Sequence, residues 1–258
     1  YNELIGVASH ELFHVWNIKS IRPKEMLPYD YAKENYATTG YIYEGITTYY
    51  GDLFLCRSGF FTFKEYLHEI SVRYQKHVRN SGRFNYSVAQ SSFDTWLDGY
   101  TPGVPGRKTS IYDEGSLIAL MLDFTIRKNT GNKKSLDDVM KHMFSEFGKR
   151  GKGYTESDFK CICETIGDCS FDDFFNTYIN AANGYENRLN ELLWYAGLKV
   201  SDVSKMHAPE SFFGILLKEK EGGKTIIGVA QGSPAHYAKI KIADEIVSVN
   251  ENPARGGV

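Results

Sequence analysis

Residues 10–14 read His10-Glu11-Leu12-Phe13-His14, and the reading of this stretch decides the fold. Its spacing makes chemical sense on a helix. His10 and His14 are i and i+4, so both imidazoles project from one face and can reach one metal ion. Glu11 lies one residue round from the first histidine, where its carboxylate can hold a water rather than the metal. A zinc hydrolase needs that set: two neutral imidazoles, a third protein ligand, an open water position and a nearby base. Ile5, Ala8, Leu12 and Trp16, joined by Phe13, form an apolar stripe that predicts a buried helix near residues 2–17. Two histidines on a buried helix need polar partners. A metal supplies them; ordinary hydrogen bonds within a core would also do so.

The next acidic residue in a helical, half-apolar setting is Glu44, within Tyr41-Ile42-Tyr43-Glu44-Gly45-Ile46-Thr47-Thr48-Tyr49-Tyr50. A lone carboxylate among these aromatic and β-branched residues is costly unless paired or metal-bound. Gly45 is expected to leave room for the first helix to approach. His68 and His77 lie on a later, charged helix, and His142 sits between Lys141 and Met143, so they are weaker third ligands. No H-x-x-G-x-x-H extension follows His14, which rules out the metzincin pattern. A ligand Glu on a second helix, downstream of the two histidines, is the gluzincin arrangement.

Taken together, His10 to Lys19, then Ile21-Arg22-Pro23, then Glu44 to Tyr50 resemble the glycyl aminopeptidase family of gluzincin metallopeptidases. That family combines a thermolysin-like zinc domain with a C-terminal PDZ domain. The resemblance implies one Zn2+ per chain at His10, His14 and Glu44, Glu11 as general base, peptide substrates, and removal of N-terminal residues. Ser110-Ile111-Tyr112-Asp113-Glu114-Gly115-Ser116-Leu117 is similar to the Tyr-x-x-Gly element of related aminopeptidases. It implies that Tyr112 donates to the oxyanion of the transition state. Without the resemblance, Tyr112 reads as one packed aromatic in a chain of 18 tyrosines.

At 258 residues and 42 % apolar, the chain can bury one helical core and carry something small besides. A net charge of −2 gives no footing for nucleic acid or an anionic membrane, and no apolar run reaches transmembrane length. Lys149-Arg150-Gly151-Lys152 reads as a solvated turn. Cys56, Cys161, Cys163 and Cys169 read as reduced thiols, since a C-x-C pair on a helix points its side chains apart; that usage favours the cytoplasm. The chain opens nine residues before His10 and ends at Asn250–Val258 in what reads as mid-PDZ. It is therefore expected to be part of a longer protein, with the apolar face of its first helix partly uncovered.

The expected architecture is mainly α: a helical gluzincin catalytic domain over 1–197 and a small, β-rich, partial PDZ-like domain over 198–258. Helices are predicted near 2–17, 36–57, 62–80, 113–129, 135–148, 155–167 and 170–181. Four of them open on boxes, at Thr62–Glu65, Ser135–Asp138, Thr155–Asp158 and Ser170–Asp173. Segment 81–110 reads as loop with one helical turn near 91–97 and the Pro/Gly-rich run Thr101–Gly106, a wall for the cleft. Phe212–Leu217, Thr225–Val229 and Glu245–Val249 read as strands. Ser211–Ile215 would be the PDZ edge that takes a peptide C-terminus by strand addition; a β-subdomain without a ligand fits the same pattern. The rival to a peptidase is a non-catalytic interaction scaffold that keeps the zinc motif as structure.

Overall fold

The structure, a computed structural model, describes residues 2–98, 104, 106–202, 208–220 and 223–253. The expected Thr101–Gly106 run therefore falls largely outside the described residues, as do residues 254–258 of the expected chain-end segment. The backbone divides into two units, Tyr1–Lys199 and Val200–Val258.

The first unit is helical. It runs α1 (Asn2–Phe13), α2 (Thr47–Arg57), α3 (Phe63–Arg79), α4 (Val88–Phe93), α5 (Thr95–Asp98), α6 (Asp113–Asn129), α7 (Leu136–Met143), α8 (Glu156–Gly167), α9 (Asp172–Phe174) and α10 (Glu186–Tyr195). Capping boxes set several starts: Thr62 with Glu65, Ser135 with Asp138 and Thr155 with Asp158 satisfy orphan amides reciprocally. A fourth box forms at Ser87 and Gln90, opening α4. The expected box at Ser170 does not form. Ser170 Oγ accepts from the Asp172 amide instead, and regular helix there is confined to α9, followed by a wider π-type turn over Phe175–Ile179. α10 was not expected, although Leu189, Leu192 and Leu193 stand at helical spacing and are buried.

α6 lies at the centre. Leu117, Ile118, Leu120, Met121, Leu122 and Ile126 are all buried, so the helix is covered on every side. Its entry is fixed by glycine against glycine. A Cβ on Gly45 would sit 2.4 Å from Gly115 Cα, and one on Gly115 would sit 2.7 Å from Gly45 Cα. The room that Gly45 provides thus goes to α6 rather than to α1. It is Gly51 that lets α1 approach α2, a Cβ there meeting His10 Cα at 3.3 Å. The two-residue strands β1 (Arg22–Pro23) and β2 (Gly153–Tyr154) pair in parallel and tie the segment after the histidines to the α7–α8 connection.

α1 departs from expectation. Regular helix ends at Phe13, and the chain turns so that Ile18 takes a positive φ of 78°. The helix is not buried. Phe13 packs on Tyr50 and Phe54, but Leu12 is 62 % exposed and Trp16 43 % exposed, and Leu4 and Val7 also face outward. Only the face carrying Ser9, His10, Phe13 and His14 is turned to the body.

The second unit holds α11 (Ala208–Phe213) and an antiparallel three-stranded sheet of β3 (Ile215–Lys220), β4 (Gly223–Val229) and β5 (Glu245–Ile246), in the order β3-β4-β5. α12 (Pro234–Tyr237) and the short pair β6 (Ser248–Val249) and β7 (Asn252–Pro253) complete it. Two strand expectations are corrected. Phe212 and Phe213 are helical, because the chain changes direction at Gly214, whose φ of 69° suits glycine and whose missing Cβ would meet Ser233. Glu245–Val249 is two short strands with Val247 exposed between them.

Candidate metal centre

His14 lies just past the last residue of α1, yet its amide still bonds the His10 carbonyl at 3.3 Å, so the i, i+4 relation holds. Glu44 comes from a π-type turn, Tyr41–Ile46, that leads into α2. Such turns free backbone carbonyls and re-aim one side chain. Here Asn17, fully buried, takes up the slack: its Nδ2 donates to the Ile42 carbonyl at 2.8 Å and to Thr47 Oγ1 at 3.0 Å.

The three side chains converge. His10 Nε2 and His14 Nε2 each lie 3.3 Å from Glu44 Oε2, and one ligand atom from each residue falls within 4.8 Å of the others. Among the described residues this is the only such group of histidine, cysteine and carboxylate side chains. The outer nitrogens are held as well. His14 Nδ1 donates to the Asn17 carbonyl at 3.1 Å, and His10 Nδ1 lies 3.4 Å from Thr48 Oγ1. That places the proton on Nδ1 of His14 and turns Nε2 inward, the pattern by which a second layer of contacts orients metal-binding histidines. Burial works against charge on Glu44, but its contacts with His10 and His14 outweigh this and hold the carboxyl below its usual range. Burial likewise opposes charge on His14, and Glu44 with the Asn17 carbonyl overcomes it, raising the imidazole. Two imidazoles and a carboxylate facing one point, each already braced from behind, are a donor set that fits a divalent metal.

A cleft of about 790 Å³ opens over this centre. Glu11 and Tyr112 line it together with the three converging residues. Tyr112 stands at the N-terminus of α6, its ring centroid 6.1 Å from that of His10. The other histidines weighed as ligands lie elsewhere. His77 is buried with Nδ1 2.8 Å from Glu114 Oε2, and its ring stacks on Tyr185; His68 and His142 are exposed.

Four contributors were not singled out from sequence. Asn17 and Thr48 brace the histidines, Gly51 admits α1, and Asp52 lines the cleft beside Arg73. A signal for part of this was present: Glu44, Thr48 and Asp52 are i, i+4 and i+8 and fall on one helix face. Asp52 meets Arg73 Nη1 at 2.5 Å; burial pushes its carboxyl up, and Arg73 pulls it back part of the way.

Residues 3–118 match the family model described as M61 glycyl aminopeptidase. No curated protein matches the chain. Among solved structures, the crystal structure of an aminopeptidase N family protein from Idiomarina loihiensis is similar over 99 % of this chain, at 29 % identity and a TM-score of 0.87. The chain spans 45 % of that protein's chain.

Proposed function

We propose, from the membership of residues 3–118 in the glycyl aminopeptidase family, that this chain carries the catalytic centre of a zinc-dependent peptidase that removes N-terminal residues. The observation that supports this best is the meeting of His10, His14 and Glu44 beneath a cleft that Glu11 and Tyr112 also line.

His10 Nε2, His14 Nε2 and the Glu44 carboxylate would hold Zn2+, which when bound lowers the pKa of a water and polarises the scissile carbonyl. Asn17 and Thr48 keep both imidazoles turned inward, so the donor set is assembled before the metal arrives. Glu11, exposed in the cleft beside the first histidine, takes the proton of the attacking water and passes it to the leaving amine. The Tyr112 hydroxyl donates to the oxygen on which negative charge develops.

Protein purified without chelator should contain about one equivalent of zinc, and Glu44→Ala should lower zinc affinity sharply. Peptide hydrolysis should cease on chelation and return with zinc. A Glu44→Ala protein with undiminished zinc affinity would sink the ligand assignment. Zinc retained with no hydrolysis of any peptide would favour the scaffold alternative instead.

A further inference from the structure

We propose that Glu114, held by His77 and Tyr185, is the positioning residue for Tyr112: its buried carboxylate sets the rotation of the first turn of α6 and so aims the Tyr112 hydroxyl. This rests on the peptidase reading of the cleft and deepens it, by assigning what fixes the oxyanion donor.

The start of α6 needs such a hold. α3, α7 and α8 open on capping boxes, but Tyr112 occupies the cap position of α6 and its side chain makes no capping hydrogen bond. Ser110 Oγ accepts from the Asp113 amide at 3.2 Å, which satisfies the backbone without fixing the turn against its neighbours. The contact of Gly45 with Gly115 sets how closely the turn approaches and leaves rotation about the helix axis open. Asp113 meets Lys76 at 3.1 Å, but that lysine side chain is 58 % exposed, and exposed pairs hold little.

Glu114 closes the remaining freedom. Successive helix residues are about 100° apart, so Glu114 projects from the side opposite to Tyr112. Tyr112 lines the cleft; Glu114 is buried. His77 Nδ1, from α3, lies 2.8 and 3.0 Å from the two carboxylate oxygens. The hydroxyl of Tyr185, the residue that opens α10, donates to Oε2. The Tyr185 and His77 rings stack with centroids 4.0 Å apart. His77 is backed in turn by Glu186, 3.6 Å from Nε2, and Glu186 by Arg83 at 3.1 Å. Two donors from two different elements thus converge on one carboxylate behind the tyrosine. An apolar side chain of similar size would often stabilise such a helix as well; what the carboxylate adds is direction.

The test uses zinc-loaded full-length protein and a double-mutant cycle. Tyr185→Phe removes one donor and keeps the stacked ring; His77→Phe removes the other. Each is made alone and together with Tyr112→Phe. Leu189→Ala, a core truncation on α10 that removes no bond to Glu114, is the structural control. Misaiming the hydroxyl should lower kcat on peptides roughly 10- to 100-fold in His77→Phe, with little change in KM. Losing one hydrogen bond in Tyr185→Phe should lower it roughly 3- to 10-fold. Both losses should vanish in the Tyr112→Phe background, and Leu189→Ala should lower the melting temperature while leaving kcat alone. Should His77→Phe fail to fold, Tyr185→Phe carries the cycle. Unchanged kcat in both variants, or the same fold loss with and without the Tyr112 hydroxyl, overturns the proposal. Fluorine NMR of a fluorotyrosine placed at position 112 needs no hydrolysis. Its resonance should shift or broaden in both variants and hold in Leu189→Ala. A resonance that moves in a protein that cleaves no peptide sinks the peptidase reading and leaves the positioning. A protein that cleaves peptides while the resonance stays fixed in every variant sinks the positioning and leaves the reading.

Discussion

Helix α1 and the residue that opens α6, Tyr112, both present side chains to the cleft, and the two helices are held there by opposite means. α6 is held by packing. Six of its apolar side chains are buried, each worth about 1.5–3 kcal/mol, and its first turn is locked backbone to backbone at Gly45 and Gly115. α1 shows most of its apolar residues to solvent and is held by particular contacts: Ser9 Oγ donating to the Gly51 carbonyl at 2.7 Å, Phe13 on Tyr50, and the Asn17 bonds beyond its end. The difference teaches that the cleft-facing groups on α1 can be altered with little cost to folding, whereas Tyr112 enters the cleft from the start of a helix tied to the core.

The comparison is put at risk first by Glu11→Gln. This cleft-facing change on α1 should lower kcat by roughly 10²–10⁴-fold, about 2.7–5.5 kcal/mol, while zinc content and melting temperature stay as they were. Loss of zinc would show that Glu11 had been given the wrong role. Tyr112→Phe should cost about 10²–10³ in kcat with little change in KM; near-normal turnover would return Tyr112 to the rank of a packed aromatic.

Gly115→Ala should act through the fold. Its Cβ would meet Gly45 Cα at 2.7 Å, so a loss of about 1–3 kcal/mol in unfolding free energy is expected, with activity falling alongside. A variant of wild-type stability would show that the helix crossing can yield. Asn17→Ala is intermediate. Removing the side chain that gathers the Tyr41–Ile46 turn should weaken zinc binding about 10- to 100-fold, read by competition with a chelator. Undiminished affinity would mean that the turn holds Glu44 without help. Smallest of all, Leu12→Ser on the outward face of α1 should change unfolding free energy by no more than about 0.5 kcal/mol and leave zinc affinity alone. A large loss of stability there would contradict the view of α1 as peripheral to the core.

Legibility in the sequence followed the range of the interactions. α3, α7 and α8 begin where local capping chemistry and apolar period say they should, and α6 where its apolar period does, because these signals are complete within a few residues. The break at Ser170 and the helical state of Phe212 and Phe213 were not read, since each depends on neighbours brought in by the fold, whereas the helix at Glu186–Tyr195 went unread although its leucines stand at helical spacing. The burial of α1 was misread for a related reason. An apolar stripe states what a helix face could bury; whether another element lies against it is a matter of tertiary structure.

By itself the sequence determined the chemistry of the centre: two imidazoles at i, i+4, a carboxylate beside the first, and a lone glutamate in an apolar helix. These are consequences of helical periodicity and of the cost of leaving charge unpaired. Only the tertiary structure decided that Glu44 reaches both histidines through a π-type turn, that Asn17 and Thr48 brace them, and that Gly45 serves α6 and Gly51 serves α1. Those outcomes turn on distances between segments far apart in the chain, which no local pattern of residues encodes.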